Sequence, residues 1–439
     1  MNTTIRRPGR RALAGIAFTG VAALALAGCS GGSADPDSAA EEGGELTVWA
    51  WDPTLATIAE AYEDANPDVT IDVVNVGTGN DQYTALQNAI SAGSGGPDLA
   101  QVEYFAIPQF AIGESLADLT EFGAEDDADS FAPGPWSAVT YGGDGVWGLP
   151  MDSGPMALFY NAAVFEEHGI AVPETWDEYV QAARDLHAAD PDVYITNDTG
   201  DAGFTTSLIW QAGGQPFQSE GSEVSIDLSD EGSTAFADLW QQLLDEDLVA
   251  PITSWSDEWY QGLGDGTIAS LAIGAWMPGN LEGGVPDGSG DWRVAPLPQW
   301  EAGGAASAEN GGSALSVLEA SENKALAYDF LQFVSLEDGI QLRMDGGGFP
   351  STVAELESDD FLAKEYDYFG GQAINEVLSE SSADVVDGWQ YLPFQVYANS
   401  VFGDSVGQAY NGSTTVADGL ADWQATLEQY GVDQGFTIE

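Results

Sequence analysis

The sequence predicts an α/β protein with two lobes. From Glu45 onward, short apolar runs typical of buried strands alternate with amphipathic stretches at helical spacing, and this alternation favours parallel strands with helices on their faces. The chain is 44% hydrophobic and 11% aromatic, so it can fill a large core in spite of its charge. About 395 residues follow residue 44, which is more than one core of ordinary size holds, and a second lobe is therefore expected.

The alternation is clearest at the start of this region. Buried strands are predicted at 45–51, 69–76 and 96–103, because each run is apolar and bounded by turn residues. A helix lies in each interval, and the second one, at 80–93, ends at Gly93, which accepts the left-handed conformation of a C-cap. The apolar face of the first helix is formed by Leu55, Ile58, Ala59 and Tyr62.

The same pattern resumes after a loop region at 123–150. Asn161 is predicted to cap a short helix that ends at His168, and Thr175 with Glu178 predicts a capping box at the start of the next helix. Further strands are predicted at 155–161, 267–276, 291–298 and 311–319, and further helices at 234–249 and 323–335. The last hundred residues have a mainly helical pattern with aromatic clusters.

The N-terminus has the pattern of a secretory signal peptide. Four arginines and no acid occupy the first eleven residues, and residues 12–27 are small and apolar. This apolar run is shorter than the ~20 residues that a membrane-spanning helix needs. The string Leu26-Ala27-Gly28-Cys29 resembles a bacterial lipobox, which implies that a signal peptide at 1–28 is removed and that the thiol of Cys29 receives a lipid. Small and acidic residues then predict a flexible tether at 29–44.

The composition excludes several kinds of partner and cofactor. The chain carries 72 acidic residues against nine lysines and arginines, a formal net charge of −63, so it repels nucleic acid and anionic membrane surfaces. One cysteine and two histidines leave too few ligands for a zinc site, and no phosphate-binding or dinucleotide-binding glycine motif occurs. The acidic run at 287–291 lacks the turn glycine and final glutamate of a calcium loop. We therefore predict no metal and no cofactor.

A short string resembles the surroundings of a protease nucleophile. This string, at 152–155, places Ser153 between an aspartate and a glycine. A serine nucleophile needs a neighbouring base, and both histidines, His168 and His187, lie on predicted helices where structural roles suffice. Protease chemistry is therefore not expected.

Aromatic rings and carboxylates follow several predicted strands. They are Trp51, Asp52, Glu103, Tyr104, Asp152 and Trp276. Ligands of open α/β sheets bind beyond the carboxyl ends of the strands, so we expect these side chains to share a site. A pyranose stacks its apolar face on an aromatic ring, and a carboxylate accepts hydrogen bonds from two of its hydroxyls. The pattern predicts a site for a neutral sugar, although Asp52 also fits a role as the cap of the helix at Pro53.

Longer stretches carry a resemblance to a known family. They are LTVWAWD with ANPDVTIDVV, YTALQNAISAGSGGPDLAQVE, WGLPMDSGPMALFYNAAVFEEHGIAVPETWDEY, and ENGGSALSVLEASENKALAYDFLQFVS with GGGFPS behind it. Together they run from Glu45 to about Ser351, and the last ninety residues match only loosely. In these stretches the chain resembles the extracellular solute-binding proteins of bacterial ABC importers, in particular the carbohydrate-binding group that includes maltose-binding protein.

The resemblance implies a two-lobed fold of the type II periplasmic binding proteins, with ligand in the cleft and a hinge of crossing strands. The crossings are expected near 150–155, 296–309 and 346–351, which gives an N-lobe at 45–152 and 300–347 and a C-lobe at 155–298 and 350–439. In that family an aromatic residue in the position of Trp276 forms the floor on which the sugar stacks. Trp389, Tyr391, Phe394 and Tyr397 form an aromatic group in the C-lobe, and one of them, with Trp389 and Tyr391 as the candidates, is expected to cover a second sugar unit.

The function that follows is a receptor without enzymatic activity. A monomer anchored through Cys29 at the outer face of the cytoplasmic membrane captures a neutral sugar or oligosaccharide and delivers it to an ABC permease. Two alternatives stay open at this point. One is a cell-surface glycosidase with an acid and a base carboxylate, and the other is a receptor for a different neutral polar solute.

Overall fold

The computed structural model describes residues 43–142 and 145–439. The predicted signal peptide, the lipidation site Cys29 and the tether up to residue 42 lie outside the described residues. Within the described residues, no helix is long and apolar enough to cross a membrane. The first described strand begins at Gly44, one residue before the predicted start of the folded region.

Strands and helices alternate along the first half, and helices dominate the C-terminal third. The strands are β1 (Gly44–Trp49), β2 (Val69–Val74), β3 (Leu99–Glu103), β4 (Leu149–Pro150), β5 (Met156–Asn161), β6 (Thr196–Asn197), β7 (Phe217–Glu220), β8 (Glu223–Ile226), β9 (Val249–Ala250), β10 (Ser270–Gly274), β11 (Trp292–Ala295), β12 (Ser313–Val317) and β13 (Thr437–Ile438). The α-helices are α1 (Thr54–Ala65), α2 (Asn80–Ala92), α3 (Ile107–Ile112), α4 (Pro133–Val139), α5 (Ala162–His168), α6 (Trp176–Ala189), α7 (Ala202–Gln211), α8 (Glu231–Asp245), α9 (Asp257–Asp265), α10 (Met277–Gly284), α11 (Lys324–Leu336), α12 (Asp338–Asp345), α13 (Val353–Leu356), α14 (Asp359–Leu362), α15 (Ile374–Ala383), α16 (Gln395–Val401) and α17 (Val416–Gln434). Short 3₁₀ segments lie at Tyr104–Ala106, Leu119–Phe122, Ala124–Ser130, Pro286–Gly288, Asp367–Phe369, Phe402–Asp404 and Val406–Asn411.

The helix signals at 54–93, at Asn161 and at Thr175 are confirmed, whereas the helix predicted at 234–249 ends at Asp245 and the loop region predicted at 123–150 contains α4. All four residues of the predicted apolar face of α1 are buried, and α2 ends at Gly93 with a φ of 64°. The side chain of Asn161 accepts from the backbone N–H of Val164 and so caps α5. Thr175 caps α6 by accepting from the backbone N–H of Glu178. The glutamate departs from an ideal capping box, because its carboxylate accepts from the N–H of residue 174 instead of that of Thr175.

The first lobe is built on a five-stranded sheet in the order β2-β1-β3-β12-β4. β1 is parallel to β2 and β3, as predicted, so β1 and β3 end at the same edge. β12 is antiparallel to β3 and places Ser313 opposite Glu103. Fully buried side chains such as Val48, Val102 and Leu315 fill the core between this sheet and its helices.

The second lobe has a central sheet in the order β10-β5-β11, and both pairs are antiparallel. The prediction of parallel strands is therefore wrong for this sheet. β5 follows β4 of the first lobe after only the segment 151–155, so it starts at the boundary between the lobes and runs away from it. β10 and β11 run back toward this boundary, antiparallel to β5.

Two segments connect the sheets of the lobes. Residues 151–155 join β4 to β5, and residues 309–312 lead into β12. The bridge between Pro155 and Glu309 pairs these segments antiparallel. Ala308 and Trp300 pack against the core of the second lobe, so the chain enters the first lobe only after Ala308. The lobe boundaries given above stay predictions in their detail.

Candidate ligand-binding cleft

A cavity of about 720 Å³ lies between the lobes, a size that suits a small ligand. Side chains of the first lobe and its crossing segment, which we call the first wall, are Trp51, Gln101, Glu103 and Asp152. Side chains of the second lobe, which we call the second wall, are Asp198, Trp255, Trp259 and Trp276. No lysine or arginine lines the cavity in the described part of the chain.

The amide of Gln101 organises the first wall. Its Oε1 atom accepts from the backbone N–H groups of Trp51 (3.1 Å) and Asp52 (3.0 Å), and its Nε2 atom donates to the hydroxyl of Ser313 (3.0 Å). Gln101 is buried, and these bonds fix the turn that presents Trp51 to the cavity. Gln101 is absent from the predicted site, although a polar side chain inside an apolar strand is a usable signal.

Glu103 places a carboxyl group at the end of β3. Its Oε2 atom accepts from the hydroxyl of Tyr83 at 2.9 Å, and the oxygen of that hydroxyl accepts from the backbone N–H of Glu103. Burial raises the pKa of Glu103 to about 7, while the Tyr83 hydroxyl opposes the shift. Near neutral pH this carboxyl exchanges between a donor and an acceptor, and sugar hydroxyls can pair with both forms.

Asp152 lies on the first crossing segment. Its Oδ1 atom accepts from the backbone N–H of Ser313 (2.5 Å) and from its hydroxyl (3.1 Å). Burial raises the pKa of Asp152 to about 6, and the Arg343 guanidinium limits the increase. Tyr104, predicted to contact ligand, is 2% exposed and does not line the cavity. Its hydroxyl donates to the carbonyl oxygen of Asp152 at 2.6 Å, so the structure places Tyr104 behind the site as a support.

Asp52 also lies outside the cavity lining. Its Oδ1 atom accepts from the N–H (2.8 Å) and the hydroxyl (2.6 Å) of Thr54 at the start of α1. Its Oδ2 atom forms an ion pair with the guanidinium of Arg343 at 2.8 Å, and Arg343 is 2% exposed. Both carboxylate oxygens are engaged, so the geometry favours the capping role that the sequence had left open.

Trp276 is the central ring of the second wall. It lies two residues after β10, at the N-cap of α10, and its indole N–H donates to the carbonyl oxygen of Asn310 at 2.7 Å. This bond orients the half-buried ring and connects it to the second crossing segment. The ring of Trp255 lies 5.6 Å away, between centroids, at an interplanar angle of 34°.

Asp198 supplies a carboxyl group to the second wall. It accepts from the backbone N–H of Gly200 (2.8 Å) and the indole N–H of Trp240 (2.9 Å), and burial raises its pKa to about 7. Asp201 lines the same cavity and caps α7 by accepting from the N–H of Phe204 at 2.6 Å. Neither aspartate belongs to the predicted site, because β6 is only two residues long and its sequence does not predict a strand.

Trp389 and Tyr391 lie elsewhere. They line a separate cavity of about 610 Å³ whose lining shares no described residue with the cleft. Trp389 stacks on Trp210 at 5.1 Å and is 8% exposed, while Tyr391 meets both rings edge-on. The structure therefore does not place these two residues in the lining of the cleft with Trp276, although Tyr391 also packs against the core of the first lobe.

Glu309 ties the two crossing segments together. Its carboxylate accepts from the hydroxyl of Ser153 (2.9 Å) and the N–H of Gly154 (2.6 Å), and it is 2% exposed. Burial raises the pKa of Glu309 to about 7. The hydroxyl of Ser153 thus donates to a structural partner, Glu309. The ring of His187 contacts Tyr194 and the carbonyl oxygen of Val193 rather than Ser153.

Two α/β lobes joined by crossing segments around an aromatic and acidic cleft define a solute-binding protein. The family of bacterial extracellular solute-binding proteins matches residues 50–341, and the chain belongs to this family. The family places the chain outside the cytoplasm.

Solved structures and curated relatives agree with this assignment. The ABC-transporter-associated binding protein of B. animalis subsp. lactis Bl-04, in complex with β-1,6-galactobiose, is 47% identical over 90% of this chain and 99% of its own, with a TM-score of 0.82. The galacto-N-biose/lacto-N-biose I-binding protein of Bifidobacterium longum, in complex with lacto-N-biose, is 27% identical over 90% of this chain and 99% of its own, with a TM-score of 0.79. The lactose-binding protein of Rhizobium radiobacter is 28% identical over 77% of this chain and 82% of its own.

Proposed function

We propose that this protein is the substrate-binding lipoprotein of an ABC importer and captures a neutral oligosaccharide that contains galactose. One observation carries the proposal: the cleft pairs the rings of Trp51 and Trp276, from opposite lobes, with the carboxyl groups of Glu103 and Asp152. Indole faces suit the apolar side of a pyranose, and carboxylates suit its hydroxyls. The cavity lining described above has no cation, which disfavours anionic sugars.

The similar proteins supply the sugar class. Those named above bind β-1,6-galactobiose, lacto-N-biose or lactose, and each of these disaccharides contains galactose. The protein that was solved with β-1,6-galactobiose is 47% identical to this chain over nearly the whole of its own length. This disaccharide is therefore the first ligand to test.

Capture is coupled to closure of the lobes. A sugar between Trp51 and Trp276 contacts both lobes only when the cleft is closed, so its binding free energy shifts the hinge equilibrium toward that form. Trp276 is bonded to Asn310, and the neighbouring Glu309 is bonded to Ser153 on the other crossing segment. These contacts connect the sugar platform to the hinge, and the closed form docks on the permease.

The proposal also includes the membrane anchor and the oligomeric state of the receptor. The lipobox-like string at Cys29 supports an anchor at the outer face of the cytoplasmic membrane, and the tether allows the receptor to reach the permease as a monomer.

The proposal is tested by calorimetric titration of the purified chain with β-1,6-galactobiose, lactose, a polyol, a nucleoside and galacturonic acid. We expect saturable binding of at least one of the two disaccharides, a rise in the melting temperature with it, and no binding of galacturonic acid. Binding of only the polyol or the nucleoside would replace the sugar assignment. Chromatography of the disaccharides after long incubation checks the remaining alternative, since shortened products would reveal a glycosidase.

A further inference from the structure

Trp255 stands out in the cleft because it is exposed and has an unusual backbone conformation. Its side chain is 51% exposed, whereas the neighbouring Trp259 is 1% exposed. Its φ angle is 68°, in the left-handed region that bulky residues rarely adopt. An exposed indole in a strained conformation adds little to folding, and such strain is concentrated at functional sites.

The surrounding contacts hold Trp255 in this conformation. The amide Nδ2 of Asn197 donates to the carbonyl of Ile252 (2.9 Å) and to the hydroxyl of Ser254 (3.0 Å), just before Trp255 in the chain. The Oδ1 atom of Asn197 accepts from the indole N–H of Trp259 at 2.8 Å. One buried amide therefore fixes the chain on both sides of Trp255.

The three indoles of the second wall form a series from the core to the solvent. Trp259 is buried, Trp276 is half-buried and bonded to the hinge segment at Asn310, and Trp255 is exposed. The ring of Trp255 lies 4.8 Å from that of Trp259 and 5.6 Å from that of Trp276, between centroids. A saccharide that stacks one unit on Trp276 and extends away from the hinge passes Trp255.

We propose that Trp255 is the platform for the second sugar unit of the ligand and selects disaccharides over monosaccharides. The inference rests on the proposed function, since it assigns one part of the same saccharide site. It replaces the second-unit contact expected at Trp389 and Tyr391, which line the other cavity.

The decisive variant is Trp255→Gly. Glycine adopts a positive φ without strain, so we expect the variant to fold with a melting temperature no lower than that of the wild type. Loss of the ring should weaken β-1,6-galactobiose binding by about ten-fold, and Trp255→Tyr should recover most of the affinity because a phenol ring also stacks on a pyranose. Competition by galactose, which has one unit, should change by less than about two-fold. Val432→Ala, at an exposed apolar residue of α17, is the matched control and should leave both affinities unchanged.

The outcomes separate the inference from the proposed function. Unchanged galactobiose affinity in Trp255→Gly overturns the inference alone, because the wild type still binds sugar. Equal losses for galactose and galactobiose also overturn it, since Trp255 then contacts the first unit. Absence of saccharide binding by the wild type overturns the proposed function and this inference with it. If Trp255→Gly fails to fold, Trp255→Asn, which also tolerates a positive φ, replaces it in the same titrations.

Discussion

The two walls of the cleft are built in different ways. In the first wall, Trp51, Glu103 and Asp152 occupy strand ends or a crossing segment, and each is fixed by hydrogen bonds from the sheet. In the second wall, Trp276 lies two residues after β10 of the central sheet, while Trp255 comes from a loop and Asp198 follows the two-residue strand β6. The first wall mainly supplies fixed polar groups, and the second mainly supplies rings.

This difference has a physical origin in strand direction. β1 and β3 are parallel neighbours, so the residues that follow them lie at the same edge of the sheet as a direct result of strand pairing. In the second lobe the central strands are antiparallel: β10 and β11 end near the lobe boundary, whereas β5 begins there and carries its carboxyl end away from the cleft. The rest of the second wall depends on loops, which long-range contacts such as those of Asn197 hold in place.

The largest expected effect comes from the central ring of the second wall. Trp276→Ala removes the stacking face and the bond to Asn310, so we expect at least about ten-fold weaker β-1,6-galactobiose binding, measured by calorimetric titration. Trp51→Ala should weaken binding less, since the first wall contributes mainly polar contacts. Trp300→Ala, a partly buried tryptophan outside the cavity, should lower the melting temperature and leave affinity unchanged. Wild-type affinity in Trp276→Ala would remove that ring from the site.

A smaller loss of affinity is expected for a substitution in the first wall. Glu103→Gln keeps the shape of the side chain but abolishes the charged acceptor, so galactobiose affinity should fall by about five-fold at pH 8. Because burial raises the pKa of Glu103 to about 7, wild-type affinity should increase as pH rises from 6 to 8, and the variant should show a flatter profile. Glu60→Gln, at an exposed position of α1, is the control. Parallel pH profiles for Glu103→Gln and the wild type would contradict this assignment.

More of the first wall than of the second could be predicted from the sequence, and strand direction is again the reason. Apolar runs and caps predicted the strands and helices well, and the strand-end rule found Trp51, Glu103, Asp152 and Trp276. The rule also selected Asp52, which pairs with Arg343, and Tyr104, which donates to the carbonyl oxygen of Asp152. No local sequence pattern specifies either of these long-range contacts. The missed residues, including Trp255, depend on packing between segments far apart in the chain.

The smallest expected effect concerns the hinge between the walls. The pKa of Glu309 is raised from 4.5 to about 7 in the folded protein, so between these values the folded state retains a proton that the unfolded state has lost. The free energy of unfolding therefore decreases as pH rises through this window, and the raised pKa values of Glu103, Asp152 and Asp198 act in the same direction. The melting temperature at constant ionic strength should fall between pH 5 and pH 8.

Glu309→Gln isolates the hinge contribution to this decrease. The amide resembles the protonated carboxyl, because its oxygen can accept from the N–H of Gly154 while its NH₂ group donates to the hydroxyl of Ser153. We expect the variant to fold like the wild type at pH 5 and to lose less stability by pH 8, as measured by thermal denaturation followed by circular dichroism. Since Glu103, Asp152, Asp198 and Asp201, whose pKa values are also raised, remain in the cleft, the slope should become shallower without vanishing. An unchanged slope would show that Glu309 is ionised throughout this range, and the hinge would then carry a fixed negative charge.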